Sequence, residues 1–158
     1  MERTVDFAAI ARVAKSAELK SVRMIEISSR CDPSVLGTLV PSVDLECKPG
    51  ALGEGTFEVI CEYEFVARVN QVQVVESRIK YLLAYEISGK ENPSSEDLAE
   101  FARANGTLNS WPFVREVLFG LTSRMGYPPY TLPLMHFNTK ATPKKPPKPP
   151  SQEVPVER

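Results

Sequence analysis

Histidine and tryptophan each occur once in the 158 residues, as His136 and Trp111, and cysteine three times, as Cys31, Cys47 and Cys61. Each scarcity excludes something. A lone histidine beside Phe137, in a proline-rich apolar stretch, leaves no nucleophile with its base, and reads as a surface or capping residue. Three cysteines are an odd number at wide spacings, unlike a disulfide framework or a metal knuckle, so buried free thiols are expected. No window approaches the roughly 18 consecutive apolar residues that a membrane span needs, so no membrane insertion is expected. The start, Met1-Glu2-Arg3-Thr4-Val5-Asp6, lacks the basic residues and apolar run of a signal peptide, which points to a cytoplasmic location. Neither a phosphate-cradling loop nor a G-x-G-x-x-G is present, so no nucleotide or other cofactor is expected. Neither sign of charge dominates either. Nineteen basic and twenty acidic side chains leave a formal charge of -1, which gives no bulk field for nucleic acid.

What remains is an ordinary composition for one domain, 42% hydrophobic and 25% charged. Proline is unevenly spread. Six of the fourteen lie between Asn138 and Arg158, a stretch with five basic and two acidic side chains. This basic, proline-rich segment has almost no large apolar residues to offset its ordering entropy. The chain therefore divides into a domain over 1–139 and a disordered tail over 140–158. The tail suits either a solubilising role or docking to an acidic or proline-reading partner.

Within the domain the hydrophobic period changes several times. Ile10, Val13, Ala14 and Ala17 predict a helix over Asp6 to Lys20. Val22 to Ser29 is β-rich until Asp32-Pro33, and Val43 to Cys47 predicts a weaker strand stopped by Pro49-Gly50. The glycines of Pro49 to Gly55 precede a strand rather than a helix and fit a mobile connection. Two long alternating strands follow. Phe57, Val59, Cys61, Tyr63 and Phe65 share one face of the first, with Glu58, Glu62 and Glu64 on the other. Val75, Ile79, Tyr81, Leu83, Tyr85 and Ile87 line one face of the second. A hairpin turning near Asn70-Gln71-Val72 sets Glu64 against Arg78 and Glu62 against Lys80, and a one-residue slip would put acids against the apolar face.

Beyond Gly89 the pattern is helical. Ser94-Ser95-Glu96-Asp97 is a start signal, Leu98, Phe101 and Ala102 form a stripe, and Gly106 reads as a stop. A second helix is expected from Ser110-Trp111-Pro112, carrying Val114, Val117, Leu118, Leu121 and Met125 to Gly126, with Trp111 and Phe113 packed between helix and sheet. Three prolines keep the apolar segment Tyr127 to Phe137 out of a sheet centre. These stripes exceed what one antiparallel sheet and its helices can mutually cover. Together with an open edge strand, that predicts self-association or a greasy partner.

The order of elements, with Trp111-Pro112-Phe113-Val114-Arg115, Ser123-Arg124-Met125-Gly126 and Pro129-Tyr130-Thr131-Leu132-Pro133-Leu134-Met135-His136-Phe137, resembles the SecB family. These are export chaperones and their relatives associated with toxin–antitoxin systems. The resemblance covers about Leu19 to Phe137, with His136 where the family pattern has Asn and Leu134 where Pro is common. It implies an α+β fold, a four-stranded antiparallel sheet with helices on one face, here with an extra N-terminal helix. It further implies a homotetrameric, ATP-independent holder of non-native polypeptide, whether preprotein or antitoxin, and not an enzyme. The expected client surface is Leu39, Val40, Tyr127, Tyr130, Leu132, Leu134 and Phe137. Burying about 1,000 Å² of apolar client surface would contribute roughly 25 kcal/mol gross. Most of that is offset by ordering and association costs, which leaves reversible holding. From the residues alone, a carrier with an apolar pocket between sheet and helix is the alternative.

Overall fold

A computed structural model of the chain describes residues 6–89 and 93–135. Its first helix, α1 (Phe7–Ala14), is capped by Asp6, whose carboxylate accepts from the N–H groups of Ala8 and Ala9 at 2.9 and 3.1 Å. The helix is shorter than the expected Asp6–Lys20. From Ala17 the chain pairs with a neighbouring strand instead, and Lys20 bridges Glu18 and Glu86 at 2.8 and 2.9 Å. Sheet pairing has overridden the local helical period.

Four antiparallel strands follow: β1 (Ala17–Cys31), β2 (Val40–Gly53), β3 (Thr56–Val69) and β4 (Val72–Ile87), arranged β1-β4-β3-β2. The first two extend well beyond the predicted segments. Pro49-Gly50 bulges β2 without ending it, because β2 is an edge strand and the missing proline N–H leaves no ladder bond unmade. Gly53 pairs with Thr56, so the glycine-rich stretch is strand plus a two-residue turn, not a mobile connection; Gly55, at φ +68°, supplies the left-handed residue.

The β3–β4 hairpin has the expected register, with Glu64 opposite Arg78 and Glu62 opposite Lys80. Its turn is Asn70-Gln71, both at positive φ, the geometry that matches strand twist in a two-residue loop. One face of the pair buries Phe57, Val59, Cys61, Tyr63 and Phe65 against Ile79, Tyr81, Leu83, Tyr85 and Ile87. The other is a ladder of charge in which Arg78 reaches Glu64 (2.8 Å) and Glu62 (3.3 Å), and Lys80 reaches Glu26 (3.0 Å).

The helical layer lies on the apolar face. The hydroxyl of Ser94 accepts from Asp97 N–H and caps α2 (Ser95–Phe101). A single π-helical turn, Ala102–Gly106, then runs straight into α3 (Thr107–Arg124). Gly106 therefore is not a stop. A Cβ there would stand 2.8 Å from Val59 Cγ1, 3.0 Å from Cys61 Sγ and 3.3 Å from Cys47 Cβ, so glycine is needed where helix backbone meets sheet. The second helix consequently begins before Ser110, and Pro112 lies inside it. Hydroxyls bind backbone carbonyls along this irregular stretch: Thr107 donates to Arg103 O and Ser110 to Gly106 O, both at 2.6 Å.

The stripe Ser110, Val114, Leu118 and Thr122 is buried, which turns Phe113 about one residue outward. It is 46% exposed and touches Tyr81 at a ring separation of 6.2 Å, so it is not core as expected. Trp111 is half-buried against Tyr63. At the far end, Tyr127 N–H bonds Thr122 O and Gly126 N–H bonds Ser123 O, with Gly126 at φ +83°, which closes α3 as anticipated.

The cysteines depart from expectation. Cys47 and Cys61 are directly opposite in the β2–β3 register, Cα atoms 4.2 Å apart, and their sulfurs are joined as a disulfide. Facing positions at a close antiparallel pair bring Cβ atoms within bonding reach, a juxtaposition that sequence spacing does not reveal. Cys31, at the end of β1, is exposed rather than buried. Among the described residues no helix is long and apolar enough to cross a membrane.

Candidate functional site

An apolar groove of about 410 Å³ opens between α1 and the start of α3. Phe7 and Ile10 form one wall, and Ala104, Asn105, Thr107 and Leu108 the other, with Arg103 at the rim. Phe7 is 57% exposed and Leu108 50%, while Ile10 is packed on the core. Local sequence explains both walls. The Asp6 cap starts α1 at Phe7, so the first turn presents that ring outward. The π-helical turn shifts the α2–α3 helix by one residue, which brings Leu108 to the outer side.

Arg12 on α1 donates to both carboxylate oxygens of Asp97 on α2, at 2.6 and 3.0 Å, and so fixes the first wall against the helical layer. The same bonds lower the Asp97 carboxyl below the usual range, with burial opposing, and raise the Arg12 guanidinium. Arg103 is held by Glu100 one turn back, so the charged side chain among the described lining residues is paired.

Among the described residues lining the groove, Arg103 is the one ionisable side chain; on the sheet behind the helices, two tyrosines are shifted. Burial pushes Tyr63 up to about 12, opposed by its hydrogen bond with Ser110; burial also pushes Tyr81 up to about 12. Both phenols stay protonated at neutral pH. A polar cleft of about 270 Å³ on the charged face contains Ser29 and Ser77, which hydrogen-bond one another, and Arg78, which the glutamates neutralise. Among the described residues no cluster of three or more His, Cys, Asp or Glu could hold a metal ion.

The expected client residues are distributed unevenly. Tyr127 and Leu132 are buried in the core. The Tyr127 hydroxyl approaches the carbonyls of Asp32 and Val35 at 2.9 and 3.0 Å. Tyr130 stacks on Phe65 at 5.4 Å and its N–H reaches Thr122 Oγ1 at 2.8 Å. These three thus line the inner sheet face beside α3. Leu39 is half-buried against the core, Val40 is exposed at the start of β2, and Leu134 is 64% exposed. Phe137, His136 and the tail lie outside the described residues. Sequence reading did not single out Phe7 or Leu108. Phe7 directly after a capping Asp was the available signal; the docking of α1 beside the π-turn is non-local and left none.

No protein-family model matches the chain. It is 24% identical over 130 residues to the SecB-like chaperone Rv1957 of Mycobacterium tuberculosis, a match spanning 81% of this chain and 71% of that protein. It is 30% identical over 117 residues to the protein-export protein SecB of Anaplasma phagocytophilum, spanning 70% of this chain and 72% of that one. The structure of the M. tuberculosis protein, solved with a ChAD peptide from the HigA1 antitoxin, superposes with a TM-score of 0.74 at 22% identity. That superposition covers 82% of this chain and 96% of the solved one, and the two share the same α+β fold.

Proposed function

The chain belongs to the SecB family, and from that premise we propose that it is an ATP-independent chaperone that grips non-native polypeptide, an antitoxin or a preprotein, on exposed apolar surface. The observation that carries this reading is the groove between Phe7 and Leu108, whose aromatic and aliphatic walls are exposed and whose described charged lining residue, Arg103, is paired with Glu100. Extended segments of mixed sequence fit such a surface, because apolar contact is non-directional and tolerates many side chains. Leu39, Val40, Tyr130 and Leu134 make up a second part of the proposed client surface, separate from the groove lining, while Tyr127 and Leu132 pack in the core. The antitoxin peptide bound to the M. tuberculosis relative favours an antitoxin client, and the export protein of A. phagocytophilum keeps preproteins in view.

A homotetramer follows in the same reading. Met24, Ile25 and Ile27 on the β1 edge, and Phe113 and Phe119 on α3, are exposed in the single chain and need cover. The location is cytoplasmic, and the basic, proline-rich tail engages an acidic or proline-binding partner. The test is suppression of aggregation. Micromolar protein, without nucleotide, should keep a denatured model substrate soluble, and light scattering should give a tetramer mass. Failure to hold the substrate, in a monomer whose melting temperature rises with a fatty ligand, would overturn the reading in favour of a small-ligand carrier.

A further inference from the structure

The groove's second wall and the Cys47–Cys61 pair are two sides of one piece of backbone. Gly106 closes the π-helical turn, and a methyl placed on it would sit 3.0 Å from Cys61 Sγ and 3.3 Å from Cys47 Cβ. Thr107, next in the chain, donates its hydroxyl to Arg103 O and lies 3.5 Å from Cys47 Sγ. Ala104, Asn105, Thr107 and Leu108 of the same stretch face the groove. Cys61 is fully buried, whereas Cys47 is half-buried.

We propose that Cys47 and Cys61 are a reversible redox site whose state sets how closely the π-helical turn rests on the sheet, and hence the shape of the apolar groove. A disulfide holds two sulfurs at about 2.05 Å, whereas non-bonded heavy atoms settle at roughly 3.5–4.0 Å. Reduction therefore requires more than about 1 Å of extra room. On the helix side Gly106 leaves no space for even one more carbon, so the added sulfur volume pushes on the turn.

The chemistry balances with a dithiol reductant. One thiolate attacks Cys47 Sγ, on the less buried of the two residues; the Sγ–Sγ bond breaks and its electron pair leaves on Cys61 Sγ, which takes a proton. The reductant's second thiolate then displaces Cys47 Sγ, which is protonated in turn, and the reductant closes its own disulfide. Two electrons and two protons enter the pair. Any effect on polypeptide holding rests on the groove being the binding surface; the redox site does not.

The test uses the full chain, air-oxidised or treated with excess dithiothreitol, in three measurements. After alkylation in denaturant with the reductant removed, peptide mass spectrometry should find Cys47 and Cys61 modified only in the reduced sample, with Cys31 modified in both as an internal reference. Hydrogen exchange at the amides of residues 104–108 should be about threefold or more faster in the reduced protein, while β3 and β4 are unchanged. Cys47→Ala, which has no second sulfur to accommodate, should exchange at the oxidised rate with or without reductant. Equal alkylation of Cys61 in both samples, or exchange at 104–108 indifferent to reductant, overturns the proposal. Client affinity is measured separately on both forms: a protein that holds no client in either state refutes the chaperone reading while leaving the exchange result to decide the redox site.

Discussion

The indole N–H of Trp111 donates to the carbonyl of Pro133 at 2.9 Å and ties the extended segment after α3 back onto the start of that helix. Twenty-two residues separate the partners in the chain. Trp111→Phe keeps the ring against Tyr63 and removes only the donor. It should lower the urea-unfolding free energy by about 0.5–1.5 kcal/mol and speed amide exchange from Tyr130 onward. An unchanged exchange pattern would show that the stack of Tyr130 on Phe65 holds the segment alone.

Gly106 and Gly126 separate two reasons for glycine. Gly106→Ala inserts a methyl against Val59 and Cys61 and should cost about 1–3 kcal/mol through overpacking. Gly126→Ala meets no atom within 4 Å, and only its φ of +83° is strained, so about 1 kcal/mol is expected. Denaturant midpoints of the two variants check the order.

Leu108→Glu places a charge in the groove mouth at a half-exposed position. Stability should change by no more than about 0.5 kcal/mol, while suppression of client aggregation should fall severalfold. Loss of stability together with retained holding would move the client surface elsewhere.

The bond between Arg12 and Asp97 predicts a pH dependence. The folded Asp97 carboxyl is lowered, so its contribution is fully present above the ordinary carboxylate range and is lost as pH falls through the lowered value. The melting temperature of the native chain should therefore drop more between pH 6 and pH 3 than that of Asp97→Asn, with both values taken relative to neutral pH. Parallel decline in the two proteins would assign the acid sensitivity to other carboxylates, such as Asp32, which Ser34 also lowers.

The hairpin of β3 and β4 was legible because alternation, turn residues and opposite charges all select one register. So were the start of α2 and the close of α3, where the signals are local. Gly106 was misread because a glycine that ends a helix and one that admits a neighbouring strand look alike in one dimension. Pro49-Gly50 failed as a stop since edge position, a property of the whole sheet, decides whether proline is tolerated. The facing of Cys47 and Cys61 depends on the β2–β3 register, for which β2 carries few cues: Asp44 and Glu46 lie opposite Glu64 and Glu62, like charge against like. Of the candidate site, the segment from Tyr127 was visible as an apolar run, but its alternation of buried and exposed residues arises only once it lies along α3. The groove between Phe7 and Leu108 comes from two segments far apart in the chain.

A phenol owns one hydrogen, yet Tyr127 faces two carbonyls of the connection between β1 and β2. At any instant one of Asp32 and Val35 is served and the other waits. The hydroxyl's share of the hold on that connection is therefore that of a single bond, about 0.5–1.5 kcal/mol, and burial of the ring in the core supplies the rest. Exchange between the two acceptors moves only the hydroxyl hydrogen, so the connection keeps one bond to the buried ring whichever carbonyl is served.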